Sequence, residues 1–229
     1  MEINLKRVKD LTRSITSRMI ITPRFKFNMS AQDALDLIAA FYCAEVRSRH
    51  NEPILDENTI RCLKEFAESI TQEQPKFGLM FCGTLGNGKT TLMRAFQRCV
   101  NYLEGRGHFQ FMYENGLSQY QKIQMRLVDI RDILYSARDN YKDFDAMKKF
   151  YMLGIDDVGK EKESEVKDFG NTLSPLAELF EYRYENQLFT IITTNVPPAK
   201  FKDKYGDRIA DRFNEMEAKI VFTNTSYRK

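Results

Sequence analysis

The chain has 229 residues, room for one sizeable domain and an appendage. Hydrophobic residues make up 42% and charged residues 29%, which excludes a disordered tail, and no run of about eighteen apolar residues exists to cross a membrane. A net charge of +3 is too small to announce a polyanion partner by itself, and four scattered cysteines without a C-x-x-C pair, beside only two histidines, argue against a disulfide framework or a zinc site.

The opening MEINLKRVKD lacks the apolar core of a signal peptide, so the expected location is the cytoplasm. From Met1 to Lys26 seven basic residues (Lys6, Arg7, Lys9, Arg13, Arg18, Arg24, Lys26) face two acidic ones, Glu2 and Asp10. A basic arm over residues 1–27 can neutralise several phosphates or simply stay solvated. Pro23 and the extended Arg24-Phe25-Lys26-Phe27 mark its end. Ser30, with Asp33 three residues later, opens a predicted helix whose Ala31, Leu35, Ile38, Tyr42 and Val46 share a face. Asp56 caps a second, with Ile60, Leu63, Ala67 and Ile70 at spacings of three and four. Two amphipathic helices in succession need a surface to pack on, so residues 28–74 are expected to form a helical prefix resting on a domain that spans 75–229.

That domain opens with the apolar run Leu79-Met80-Phe81-Cys82, a predicted strand, which leads into Gly83-Thr84-Leu85-Gly86-Asn87-Gly88-Lys89-Thr90. The octapeptide fits G-x-x-x-x-G-K-[ST]; Thr91 closes the stretch, and an amphipathic helix with Leu92, Met93, Phe96 and Val100 follows. Glycines let backbone N–H groups turn inward around phosphate oxygens, and the helix adds its positive dipole end at the same place. In this pattern Lys89 reaches the β- and γ-phosphates of a nucleotide and the Thr90 hydroxyl ligates Mg²⁺.

Beyond Gly105 and Gly107, Phe109 to Tyr113 reads as a second strand. A long helix is predicted next, from Leu117, Tyr120, Ile123, Leu127, Ile130 and Leu134. Tyr135 to Phe150 breaks the period and reads as an elaboration before the third strand, Tyr151-Met152-Leu153-Gly154-Ile155-Asp156-Asp157. Two carboxylates at the end of an apolar strand, downstream of a phosphate loop, suit a metal-side acid (Asp156) and a group that polarises the attacking water (Asp157). The fourth strand, Leu188 to Thr194, ends in Asn195 and a Pro197-Pro198 stop. An amide at that tip can hold the lytic water or sense the γ-phosphate, or only shape a turn. A helix around Tyr205 to Glu215 carries Arg208 and Arg212 on one face. These arginines either pair with Asp207 or Asp211, or enter a neighbouring copy's phosphate site. Lys219 to Asn224 is the expected fifth strand.

Strand, phosphate loop, IDD strand, TTN strand and D-R-F segment, in this order, resemble the AAA+ ATPases. More narrowly, Gly154-Ile155-Asp156-Asp157-Val158-Gly159, Ile191-Ile192-Thr193-Thr194-Asn195, Asp207-Arg208-Ile209-Ala210-Asp211-Arg212-Phe213 and Ser226-Tyr227-Arg228 resemble the DnaC/DnaI helicase-loader family and its relative, the IstB transposition helper, over about residues 75–229. The resemblance implies an α/β P-loop NTPase fold of the AAA+/ASCE type: a parallel five-stranded sheet of order 5-1-4-3-2 sandwiched by helices, with the helical prefix in front and no C-terminal helical lid. It implies ATP held by Gly83 to Thr91 and by Arg228 as a late sensor, and Mg²⁺ by Thr90 and Asp156. It further implies Asp157 as base, Asn195 as first sensor and Arg212 as the finger acting in trans, with Arg208 as runner-up. The implied activity is hydrolysis of ATP, weak in the monomer. The implied partners are a replicative helicase or a transposase, single-stranded DNA, and further copies in a homo-oligomer formed with ATP. Arg138, Tyr141, Lys142, Lys148 and Lys149 would face the DNA, diluted by Asp139, Asp143 and Asp145. Two further readings stay open on the motifs alone, a nucleotide-gated adaptor with little hydrolysis and a small-molecule kinase.

Overall fold

Short apolar runs that alternate with amphipathic helices fold as parallel strands, because a parallel pair needs a crossover long enough to hold a helix. The computed structural model describes residues 3–18, 24–104, 123–161, 175–224 and 226–227. Strands β1 (Gly78–Gly83), β2 (Met125–Asp129), β3 (Met152–Val158), β4 (Phe189–Thr194) and β5 (Glu217–Phe222) make one sheet ordered β2-β3-β4-β1-β5. Every neighbouring pair is parallel. This is the expected 5-1-4-3-2 order, and the fold is the α/β P-loop type.

The described helices are α1 (Leu5–Thr16), α2 (Ala31–Arg47), α3 (Glu57–Thr71), α4 (Lys89–Leu103), α5 (Ile130–Asp139), α6 (Tyr141–Lys148), α7 (Pro175–Glu185), α8 (Phe201–Tyr205) and α9 (Asp207–Met216). They cover both faces of the sheet. On one face Ile38, Phe66 and Phe96 of α2, α3 and α4 meet Leu79, Phe81 and Ile191. On the other, Ile133, Phe144, Phe180 and Phe213 of α5, α6, α7 and α9 meet Met80, Leu153 and Ile192. Burial on both faces is why β1 and β4 read as continuous apolar runs and not as an alternation.

Helix α2 packs on α3 and α4, and the segment before it is built into the same core. Phe25 and Phe27 are 1% and 0% exposed, and the Phe25 ring lies 4.8 Å from Phe189 and 6.1 Å from Phe96. The Phe27 N–H donates to the Ile70 carbonyl at 2.8 Å, and Arg24 reaches Gln187 and the Pro75 carbonyl. By contrast α1 buries no side chain, and Leu5, Val8, Leu11 and Ile15 line one exposed stripe. Among the described residues no helix is long and apolar enough to cross a membrane.

Three predicted elements are corrected. The helix expected through Leu127 and Leu134 is interrupted: Met125–Asp129 is strand β2, and α5 begins only at Ile130. The Leu127, Ile130, Leu134 spacing straddles a strand-to-helix junction fixed by a capping box, in which Asp129 accepts from the first turn and Asp132 reaches back to the Asp129 N–H. The strand itself is seated by Leu127 and Met125, whose side chains fill the space that a Cβ on Gly154 of β3 would occupy. The strand expected at Phe109 to Tyr113 lies outside the described residues. The helix expected at Tyr205 to Glu215 is divided at Gly206 (φ 82°) into α8 and α9, and β5 starts earlier than expected, at Glu217.

Candidate functional site

Strand β1 delivers the chain into the glycine-rich turn, and α4 leaves it. Gly88 is left-handed (φ 93°) and a Cβ there would meet the Tyr42 hydroxyl at 2.9 Å, so the turn closes against α2 only with glycine at this position. Lys89 is 7% exposed and its Nζ donates to four oxygens: the Gly83 carbonyl (2.9 Å), the Thr84 carbonyl (2.6 Å), Asn87 Oδ1 (3.0 Å) and Asn195 Oδ1 (3.0 Å). Burial pushes its ammonium down to about 8, against the attraction of the Asp157 and Asp156 carboxylates. Thr84 and Leu85 are exposed, while Gly83, Gly86, Thr90 and Thr91 are half-buried.

The loop is pinned from behind. The Asn87 side chain is buried and donates to the Phe222 carbonyl at the end of β5, and Asn224 donates to the Asn87 carbonyl. The Tyr227 N–H donates to the Gly86 carbonyl at 3.0 Å, and its hydroxyl donates to Asp56, the N-cap of α3, at 2.6 Å. That hydrogen bond holds the Asp56 carboxyl below its ordinary value, and burial pushes the neighbouring Tyr42 hydroxyl up to about 12. The helices before β1 and the chain after β5 thus both bear on the loop.

In front of it, Thr90 Oγ1 donates to Asp156 Oδ1 at 2.8 Å, which joins α4 to the end of β3. Thr193 on β4 donates to the same carboxylate oxygen and accepts the Asp157 N–H at 2.9 Å. Between Ile155 and Val158 the β3–β4 register slips, and Asp157 stands on this bulge with φ 63°. A bulge re-aims a side chain relative to the plain alternation of a strand. Here the Asp157 carboxylate is ion-paired with Lys160, half exposed on the following turn. Lys89, Thr90, Asp156 and Asn195, drawn from α4 and from the ends of β3 and β4, therefore converge on one point outside the carboxyl ends of the strands, with Asp157 beside them. Such convergence is where ligands bind in open parallel sheets.

The crystal structure of the DnaC helicase loader aligns with 76% of this chain and 94% of its own, with a TM-score of 0.56 and 20% identity. The crystal structure of DnaI aligns with 89% of this chain and 96% of its own, at 0.57 and 17%. The chain has the fold of the DnaC helicase loader and of DnaI. No protein-family model and no curated protein matches its sequence.

In this fold the two arginines of α9 are tied to α7. Arg212 lies 3.0 Å from Glu181 and 4.0 Å from Glu185, stacks over Tyr184, and its side chain is 16% exposed. Arg208 also pairs with Glu181, at 3.0 Å, with a 65% exposed side chain. The alternative partners expected for them, Asp207 and Asp211, are not used; Asp207 pairs with Lys202. Adjacent helix positions point in different directions, whereas Glu181 faces α9 across the helix pair. Arg228 lies outside the described residues. The stretch expected to face DNA has several of its polar groups paired within the protein: Arg138 pairs with Asp139, Lys149 with Asp145, and buried Lys148 with Glu178 of α7, which also accepts from Tyr141. Four further groups hold this site in roles that the sequence motifs do not assign them: Thr193, Lys160, Tyr42 and Tyr227. The threonine is adjacent to the Thr194-Asn195 signal, on the strand that pairs with β3.

Proposed function

We propose that the chain binds MgATP in the Gly83–Thr91 loop, hydrolyses it weakly as an isolated molecule, and assembles with ATP and single-stranded DNA to deliver a replicative helicase. One observation carries the first part: Thr90 stands 2.8 Å from Asp156 while Lys89 stands 3.0 Å from Asn195, so a loop lysine, a metal-side pair and a polar sensor share one site.

The residues fit Mg²⁺ held chiefly by phosphates. Among the described residues no cluster of three or more His, Cys, Asp or Glu could hold a metal alone, and Mg²⁺ in such sites keeps waters and phosphate oxygens with one or two protein groups. Thr90 and Asp156 would supply those groups, and the ion would neutralise charge on the β- and γ-oxygens. Lys89 would exchange the Gly83 and Thr84 carbonyls for phosphate oxygens. Asp157, once released from Lys160, would accept the proton of the attacking water, which the Asn195 amide would orient. The Asp157–Lys160 pair supports a low basal rate. Arg212 and Arg208 hang on Glu181 of α7 and not on the loop, which supports their service to a neighbouring copy, and Arg228 would complete the nucleotide contacts. Likeness of fold to the DnaC helicase loader favours a helicase over a transposase as partner.

Single-turnover hydrolysis, followed across protein concentration with and without single-stranded DNA, tests this. The rate should rise by about a thousandfold or more once copies meet, within the range assigned to an arginine supplied in trans. Wild-type ATP affinity in Lys89→Ala would refute the site. Retention of the full chain on an immobilised transposase and not on a hexameric helicase would overturn the partner.

A further inference from the structure

Glu161 is a carboxylate sealed inside the protein four residues after Asp157. Its side chain is 0% exposed. It accepts from the Gly159 N–H at 2.8 Å and from the Tyr205 hydroxyl, and it is ion-paired with Lys204 at 3.1 Å. Lys204 closes the ring by donating to the Gly159 and Glu161 carbonyls. Burial and the Glu161 charge push the Tyr205 hydroxyl far above its ordinary value, so it stays a donor. Burying such a network is costly and is weak evidence for stability. What it does is fix position: Lys204 of α8 holds the carbonyl of Gly159, and Glu161, itself held by Lys204 and Tyr205, accepts from its amide.

Gly159 is where three parts of the site meet. It follows the Asp157 bulge, has φ 105°, and a Cβ on it would strike Val196 Cγ2 at 2.4 Å and Thr194 Oγ1 at 3.3 Å. Thr194 donates to the Val158 carbonyl and accepts the Val196 N–H, which locks the residues on either side of Asn195 to the acid strand. On the far side, the Phe201 ring of α8 packs at a tilt against Phe213 of α9 at 5.0 Å, and Phe213 packs on Phe180 of α7 at 4.6 Å. Arg212 is the next residue. A shift of Asp157 or Asn195 therefore has a packed route to the arginine helix, through Gly159, Glu161 with Lys204 and Tyr205, and the Phe201–Phe213 contact.

We infer that Glu161, Lys204 and Tyr205 are a relay through which occupancy of one copy's nucleotide site positions the α9 arginines for the next copy. The inference rests on the shared-site function proposed above. Glu161 is a positioning residue, acting on the neighbour's reaction and not on its own.

Complementation between full-length variants separates the two. Glu161→Gln should keep ATP affinity within about twofold and lose turnover by about a hundredfold, the cost of a misplacement of about 1 Å. Tyr205→Phe, which keeps the ring stack, should give a smaller loss of the same kind. Asp157→Asn cannot activate water but presents an intact relay. An equimolar mixture of Glu161→Gln and Asp157→Asn should then recover about one quarter of wild-type turnover, because about that share of head-to-tail interfaces pairs a competent site with a competent arginine. Recovery in a parallel Arg212→Ala and Asp157→Asn mixture, without recovery for Glu161→Gln, would overturn the relay and leave the shared site standing. No recovery in either mixture, with wild-type turnover independent of concentration, would overturn the shared site and the relay with it. Weakened ATP affinity in both Glu161→Gln and Tyr205→Phe would also overturn the relay, placing Glu161 in service of its own site.

Discussion

Replacing Lys89 with methionine should stabilise the nucleotide-free protein while abolishing nucleotide binding. Its ammonium is pushed from 10.5 to about 8, chiefly by burial, so keeping it charged at neutral pH costs the folded state about 3 kcal/mol at 1.36 kcal/mol per pKa unit. Methionine removes that cost at similar volume. Of the four oxygens it abandons, two are loop carbonyls beside exposed Thr84 and Leu85, where water can replace the lysine. Losing the Asn87 and Asn195 contacts takes back part of the gain, at about 1 kcal/mol for an ordinary hydrogen bond. The net gain of about 1–2 kcal/mol corresponds to a rise in Tm of about 3–6 °C for a chain of this size. The pH dependence gives a second check. Between about 8 and 10.5 the unfolded chain holds a proton that the folded chain does not, so wild-type stability is full above that window and is lost as pH falls through it. The advantage of the variant should be largest at pH 7 and fade toward pH 10. Thermal unfolding across that range, with and without MgATP, measures it; ATP should raise the wild-type Tm and leave the variant unmoved. A variant that melts below wild type at pH 7, or a difference indifferent to pH, would refute the account.

Three other perturbations follow from the packing. Glu217 is 1% exposed with neither carboxylate oxygen partnered, and burial pushes its carboxyl well above its ordinary value, opposed by Lys219 and Lys76. Its stabilising proton is fully present below about pH 4.5 and is lost as pH rises through the folded-state value, so Glu217→Gln should gain about 1–3 kcal/mol over wild type at pH 8 and little at pH 4, read by denaturant unfolding. Arg212→Ala should leave ATP affinity in dilute protein unchanged and cut concentration-dependent turnover by about a thousandfold. If Arg208→Ala has that effect and Arg212→Ala does not, the finger is Arg208. Phe25→Ala should cost about 3–5 kcal/mol, visible as a lowered denaturation midpoint, because the ring is enclosed by Phe27, Phe96 and Phe189; a loss under 1 kcal/mol would mean that the segment is not part of the core.

The phosphate loop was legible because its residue types are its chemistry: glycine where the backbone must turn, lysine and threonine where charge and a hydroxyl are needed. Strands β1, β3 and β4 announced themselves because they are apolar on both faces. Strand β2 did not. With Arg126 exposed and Leu127 half-buried at the sheet edge, its five residues carry a helical spacing as readily as a strand's, and only the Asp129–Asp132 cap separates them. Placement of Thr90 beside Asp156 followed from motif order. The Glu181 partner of both arginines, and the closure of Tyr42 and Tyr227 on the loop, depend on side chains brought together from distant positions, which no local pattern encodes.

The buried Phe25 has a consequence for the order in which the molecule is made. Its ring rests on Phe189, and Arg24 bonds to Gln187, 163 positions further on. During synthesis Phe25 emerges well before β4, yet its seat does not exist until β4 has left the ribosome. Contacts of such sequence separation form late, since loop closure must precede them. The segment that links α1, with its apolar stripe and basic flank, to the sheet therefore lacks its seat for most of the chain's elongation and gains it only when the sheet is nearly complete. A partner that grips α1 early would hold a chain still without its sheet, and one that requires α1 displayed from a fixed mount would meet only finished molecules.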